Sequence, residues 1–290
     1  MTLITAPTIP APGRAFTRSV RAELIKLTRR RVVIASVLAV AAIAVGGTAI
    51  GITAAEPAAI AVRRPDQALS IASLEEPGGG TALFAQTAGF MAAFLTAVLV
   101  ATVASEFTRG TFRTMLLQQP RRFRVLAGKV VALVGFIAAA AAAAEVLSWV
   151  TSRLMAPGQG IETAAWLTMD GVAAGLEDYG RAILYVAGTA VFGTMVGVLA
   201  RSVPIGVGAA LVWLGPIENI IGDSWDPGPR WFPGLLLRAV ISPGSTGVSS
   251  ARALVTLAVY AAVAIAVTAT AATSRPDRTP GRAAGSFRRR

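Results

Sequence analysis

Cysteine and histidine are absent from this 290-residue chain, and only two of its 27 basic residues, Lys26 and Lys129, are lysines. Without thiols or imidazoles there are no disulfides, no Cys/His zinc sites, no thiol nucleophile and no Ser-His-Asp triad. Acidic residues number only 15, and all charged residues together make up 14% of the chain, against about a quarter in soluble domains. Hydrophobic residues make up 54%. This balance excludes most metal and nucleophile chemistry and points to a membrane protein. The net charge of +12 by itself suits either nucleic acid or an anionic membrane surface, so the placement of the charges has to decide.

A hydrocarbon core of ~30 Å needs about 20 apolar helical residues at ~1.5 Å each. Six segments qualify: 32–54, 81–104, 130–150, 181–200, 203–222 and 252–272. Glu145 and Glu218 are the only charges lying well inside them. The runs are rich in Ala, Leu and Gly and lack period-2 alternation, so strands are a poor alternative. The first run exceeds the roughly 7–15 residues of a cleavable signal segment, which predicts a retained helix. The expected fold is all-α: one polytopic membrane domain of six transmembrane helices over 32–272. A disordered N-terminus, 1–13, precedes it, and a basic disordered tail, 273–290, follows it.

Orientation follows from the arginines. The N-terminal segment, the loop 105–129, Arg201 and the tail share one side of a six-span map, with 20 basic residues against three acids, Glu23, Glu106 and Asp277. The other loops hold seven basic residues and ten acids. Both termini are therefore expected in the cytoplasm and the chain in the plasma (inner) membrane. No groove-reading or base-stacking module accompanies the basic residues, so nucleic acid is not an expected partner; the lipid bilayer is.

Two cytoplasmic stretches carry order beyond their charge. In 14–31, "RAFTRSVRAELIKLTRRR", Phe16, Val20, Leu24 and Leu27 fall on one helical face with basic residues around them, which predicts an amphipathic elbow helix on the inner leaflet. In 105–129, "SEFTRGTFRTMLLQQPRRFRVLAGK", Glu106 and Arg109 mark the exit into water, Gly110 permits a turn and Thr111 can cap a short helix that Pro120 ends.

The order Glu106-Phe107, Gly110-Thr111, Arg113, Pro120 and basic residues up to Lys129 resembles the cytoplasmic loop of the permease subunits of type-2 ABC exporters. The stretch before the first span is similar to their elbow helix, and six spans with a large final external loop agree with the same family. The resemblance implies that Glu106, Phe107, Gly110, Thr111, Arg113 and Leu117 form the surface that couples to a cytoplasmic ABC ATPase subunit. It also implies dimerisation with a second permease copy or a homologue. A P-loop needs G-x-x-x-x-G-K-S/T; Lys26 follows Ile25, and Lys129 has Phe123 at the first glycine position and Val130 after it. The chain is thus not expected to be an enzyme or to carry a cofactor or metal, and ATP and Mg belong on the partner. Export of a small molecule, a lipid or an amphiphilic drug or antibiotic is the resulting expectation. The alternatives are an ion- or proton-coupled carrier using Glu145 or Glu218, although no repeat is visible, and a sensor or scaffold that transports nothing.

Glu145 and Glu218 each lie 15 residues beyond the cytoplasmic start of their spans, roughly 22 Å in. They suit a substrate path or gate, pairing with Arg153 or Arg181, or a hydrated outer vestibule with no substrate role. The external hairpin 223–250 holds Trp231 and Phe232 among prolines, then "GLLLRAVIS". It reads as an interfacial or re-entrant cap, or as an aromatic belt that anchors the last span. Gly47, Gly51, Gly193 and Gly197 allow close helix approach, and Pro204 and Pro216 suit a bent fifth span. Single cysteines placed at Thr81 and Gln118 should be labelled from opposite faces of sealed membranes by an impermeant maleimide; labelling from one face would overturn the six-span map.

Overall fold

The computed structural model describes residues 12–57, 70–90, 92–108, 122–244 and 246–273. Most of the two terminal segments expected to be disordered, and the loop positions Gly110, Thr111, Arg113 and Leu117, lie outside these residues. Among the described residues the regular structure is helical, apart from one isolated bridge between Glu56 and Ser70.

Helix α1 runs Pro12–Leu27 and α2 Arg30–Thr53. The short α3, Ile71–Glu75, leads to α4, Gly79–Phe90, and α5, Ala92–Thr108. Helix α6 spans Arg122–Met155 and α7 Met169–Ala200. Next come α8, Val203–Val212, a π-turn Trp213–Ile217 and α9, Glu218–Ser224. Helices α10, Pro233–Ile241, and α11, Ser250–Thr273, complete the chain.

Five helical segments are long and apolar enough to cross a membrane: α2, α6, α7, α8 with α9, and α11. The expected second span, 81–104, is shared between α4 and α5, each too short to qualify alone. The expected third and fourth spans are the inner parts of much longer helices, 34 and 32 residues, or about 50 Å each at ~1.5 Å per residue. Both overshoot a hydrocarbon core. The N-terminal overhang of α7 is where acidic residues collect.

Half of the apolar stretch of α7 is buried, against 11% for α2 and 22% for α11, which makes α7 the central post. It packs on α4, α5, α6, α8, α10 and α11. Glycines make this possible. A Cβ on Gly197 would stand 2.9 Å from Val103 Cβ and 3.1 Å from the Val100 carbonyl, and one on Gly193 3.1 Å from Leu99 Cβ, so α5 lies directly on the α7 backbone. Gly188 receives Leu237 of α10, and Gly206 of α8 receives Val100. Gly47 and Gly51 do the same for α2, meeting Thr87 and Leu83 of α4. The opposite faces carry exposed Val37, Leu38, Val146, Val255 and Val259, as a lipid-facing surface requires.

Helix α1 packs on α6, and its packed face differs from the stripe read in the sequence. Phe16, Ser19, Val20, Glu23 and Leu27 are partly buried, whereas Leu24 is exposed. Gly128 explains the shift: a Cβ there would touch Ser19 Cβ at 2.8 Å, so the helices close together at Ser19 and draw Glu23 inward. At the other end of the bundle, Ile52, Leu74, Leu83, Ala156, Ile161 and Trp166 form a separate cluster, and the Trp166 indole donates to the Leu74 carbonyl at 2.8 Å.

Gly197→Ala should cost about 1–3 kcal/mol of stability by overpacking against α5. Gly208→Ala, with open space around its Cβ, should gain up to ~1 kcal/mol from helix propensity. Thermal unfolding in detergent reads both, and equal midpoints would overturn the close α5–α7 approach.

Candidate functional site

A cavity of about 1520 Å³ opens beside α7, walled by α4, α5, α8 with its π-turn, and α10. It follows α7 from Ala174 to Val196, about 33 Å at ~1.5 Å per residue, the depth of a hydrocarbon core. Its two ends differ in chemistry. Glu76, Glu177, Asp178 and Arg181 gather toward the N-terminal end of α7, while Phe192, Met195, Val196, Ala209 and Leu214 line the rest.

The charged end is built by helix periodicity. Arg181 reaches Glu177 at 2.5 Å and Asp178 at 3.3 Å, one turn back on its own helix. The Thr81 hydroxyl of α4 donates to Asp178 at 2.7 Å and ties the neighbouring helix in. Glu145 of α6 lies beside Gly175, close to the same cluster. The ion pairs of Arg181 thus go to its own helix and not to Glu145 or Glu218. Glu177 and Asp178 were not singled out in the sequence, and Arg181 was read there only as a partner for Glu145 or Glu218, although acids three and four residues before an arginine at the start of an apolar run are a visible signal.

Glu218 is fully buried. Its carboxylate accepts the Leu235 backbone N–H at 3.0 Å, and that N–H belongs to the first turn of α10. A helix start leaves N–H groups without partners, and the residue at the N-cap, Phe232, has no side-chain acceptor. The carboxyl group of another helix therefore supplies the acceptor that the start of α10 needs. Gly234 is the necessary companion, because a Cβ there would collide with the carboxylate. Neither Glu145 nor Glu218 lies on the cavity wall, but Gly234 does.

Six of the nine residues of α10 are buried. The helix lies between α7 and α11 and does not rest on the surface. Irregular chain at this depth needs its polar groups satisfied within the protein. The Tyr260 hydroxyl donates to the Trp231 carbonyl at 2.9 Å, and the Ser250 hydroxyl to that of Ala239 at 3.2 Å. Phe232 stacks edge-on with Trp213 and Trp225 at 6.3 and 5.9 Å. Trp231 itself is exposed. Pro204 sits in the first turn of α8, and Pro216 lies inside the π-turn, where its missing N–H widens the helix. The Asn219 amide donates to the Gly215 carbonyl at 2.6 Å there.

At the opposite end, Lys129 of α6 pairs with Glu106 of α5 at 2.5 Å and lies 3.9 Å from Glu23 of α1. Glu23 also holds Lys26 at 2.6 Å. Both lysines and two of the three acids on this side thus meet in one cluster, all but Lys26 largely shielded from water. Phe107 packs with Val103, Leu126 and Val198. Glu106 and Phe107 lie in the last turn of α5; the other four residues of the expected coupling surface lie outside the described residues.

Among the described residues no cluster of metal-binding side chains occurs. Compared with known proteins, the chain matches no family model and no curated protein.

Replacing Glu218 by Ala strands the α10 N–H groups in an apolar interior and should cost about 1–3 kcal/mol. Glu218→Gln keeps an acceptor and should cost less. Thermal midpoints rank the three proteins, and an Ala variant as stable as the parent would remove the capping role.

Proposed function

We propose that the chain is the membrane-spanning permease subunit of an ATP-binding cassette exporter in the plasma (inner) membrane, with both termini cytoplasmic. On this reading α4 and α5 together serve as the second of six spans, and α1 is the elbow helix. A second permease copy or homologue completes the pathway, and a separate cytoplasmic ATPase binds ATP and Mg. The observation that carries the reading is the cavity along α7: as long as the bilayer is deep, with acids and Arg181 gathered at one end and a mainly apolar wall beyond them that includes Arg238, it is suited to moving a molecule between water and membrane. The similarity of the loop 105–129 to exporter permeases supplies the energy source, since the chain lacks a P-loop.

The chain's own groups provide a route for coupling. A partner pressing on the loop 105–129 moves both of its ends, Glu106 on α5 and Lys129 on α6. Lys129 carries the displacement to Glu23 on α1. α5 lies on the α7 backbone at Gly193 and Gly197, so a shift at the loop reaches the wall of the cavity as a movement of packed helices. The ATPase acts by binding one arrangement of these helices better than the other.

An ATPase should co-purify in mild detergent and be lost when Glu106 and Arg113 are both replaced. It should stay when Lys129→Met breaks only the ion pairs. Retention by the double variant would overturn the coupling surface, and absence of any ATPase would overturn the exporter reading.

A further inference from the structure

We infer that the cavity along α7 binds a zwitterionic amphiphile whose anionic group lies nearer its apolar tail than its cationic group, the order found in phosphocholine headgroups. The inference rests on the transport reading and names the class of ligand for that pathway. At about 1520 Å³ the cavity exceeds the roughly 300–1,000 Å³ of drug-sized sites, so a small polar solute would leave most of it unfilled.

The order of charges along the wall selects the headgroup. The acids Glu76, Glu177 and Asp178 lie toward the outer end, where Arg181 neutralises part of the last two. Arg238 is the deeper cation. Its neighbour Leu237 packs on Gly188, ten residues beyond Asp178 on α7, or about 15 Å. Arg238 and Glu76 both line the cavity, both are exposed, and neither forms an ion pair among the described residues. An anionic group beside Arg238 places an ammonium group a few ångströms further out, on the side of the cavity where Asp178, Glu177 and Glu76 lie. The tail then extends along Phe192, Val196, Ala209 and Leu214. The hydroxyl of Thr189 on this wall is occupied by the Tyr185 carbonyl, so it does not compete for the headgroup.

The test is photo-labelling of the full chain in nanodiscs with lysophosphatidylcholine carrying a diazirine in its acyl chain, followed by mapping of the labelled peptides. Labels should concentrate on α7 and α8 between Phe192 and Leu214. Arg238→Gln should lower labelling about tenfold, the effect of one charged contact, and Glu76→Gln should lower it by less. Ala209→Trp, which fills an exposed lining position, should abolish it. An alkyl sulfobetaine probe, with the two charges in reverse order, and a monoacylglycerol probe, with none, should label weakly. Equal labelling by all three probes, or labelling indifferent to Arg238→Gln and Ala209→Trp, would overturn the inference. Co-purification of an ATPase with unselective labelling keeps the exporter reading and overturns this ligand. Selective labelling of a chain that holds no ATPase supports the ligand and overturns the exporter reading.

Discussion

Bare backbone on α7 is the constraint from which the rest of the bundle follows. Lipid tails are as apolar as leucine, so helices in a bilayer gain little from hiding leucines and must instead fit closely. Gly188, Gly193 and Gly197 let α10 and α5 reach the α7 main chain, and Val100 of α5 is shared with Gly206 of α8. A side chain at any of these points would push a wall of the cavity outward. The shape of the cavity is therefore set by residues that contribute no side chain to it.

Polar contacts are sparse and placed by depth. Thr48 and Ser148 hydrogen-bond at 2.6 Å between α2 and α6, and the Tyr179 hydroxyl donates to the Ala138 carbonyl at 3.2 Å between α7 and α6. These join α6 to its neighbours away from the cavity. The Lys129 cluster gathers α1, α5 and α6 at the opposite end from Asp178. The Thr81–Asp178 bond joins α4 to α7 beside the cavity, and the Glu218–Leu235 bond fixes the start of α10 on its wall.

Much of the bundle was legible from hydropathy, because membrane-crossing helices announce themselves by long uncharged runs. The boundaries were less legible. α6 and α7 extend well past the apolar parts, since helical hydrogen bonding does not stop where the lipid does. The glycines at 47, 51, 193 and 197 were readable as packing positions, and the structure places a neighbouring helix against each. The role of Glu218 was not readable: its partner is a backbone N–H 17 residues away, and a main-chain donor leaves no mark in the sequence. The same holds for α1. Its packed face is chosen by Gly128 and Lys129 on another helix, so the apolar stripe alone missed Glu23. The cavity needed five helices to be placed together, which local spacing cannot supply.

The contact between Gly234 and Glu218 limits how this chain can change over generations. Any side chain at 234 displaces the carboxylate, and any displacement of the carboxylate uncaps a buried helix. A new capping arrangement would have to bring in another acceptor before either residue is given up. The two positions, one opening α9 and the other in the first turn of α10, therefore constrain each other, and the cavity wall that Gly234 forms is held in place by a residue behind it.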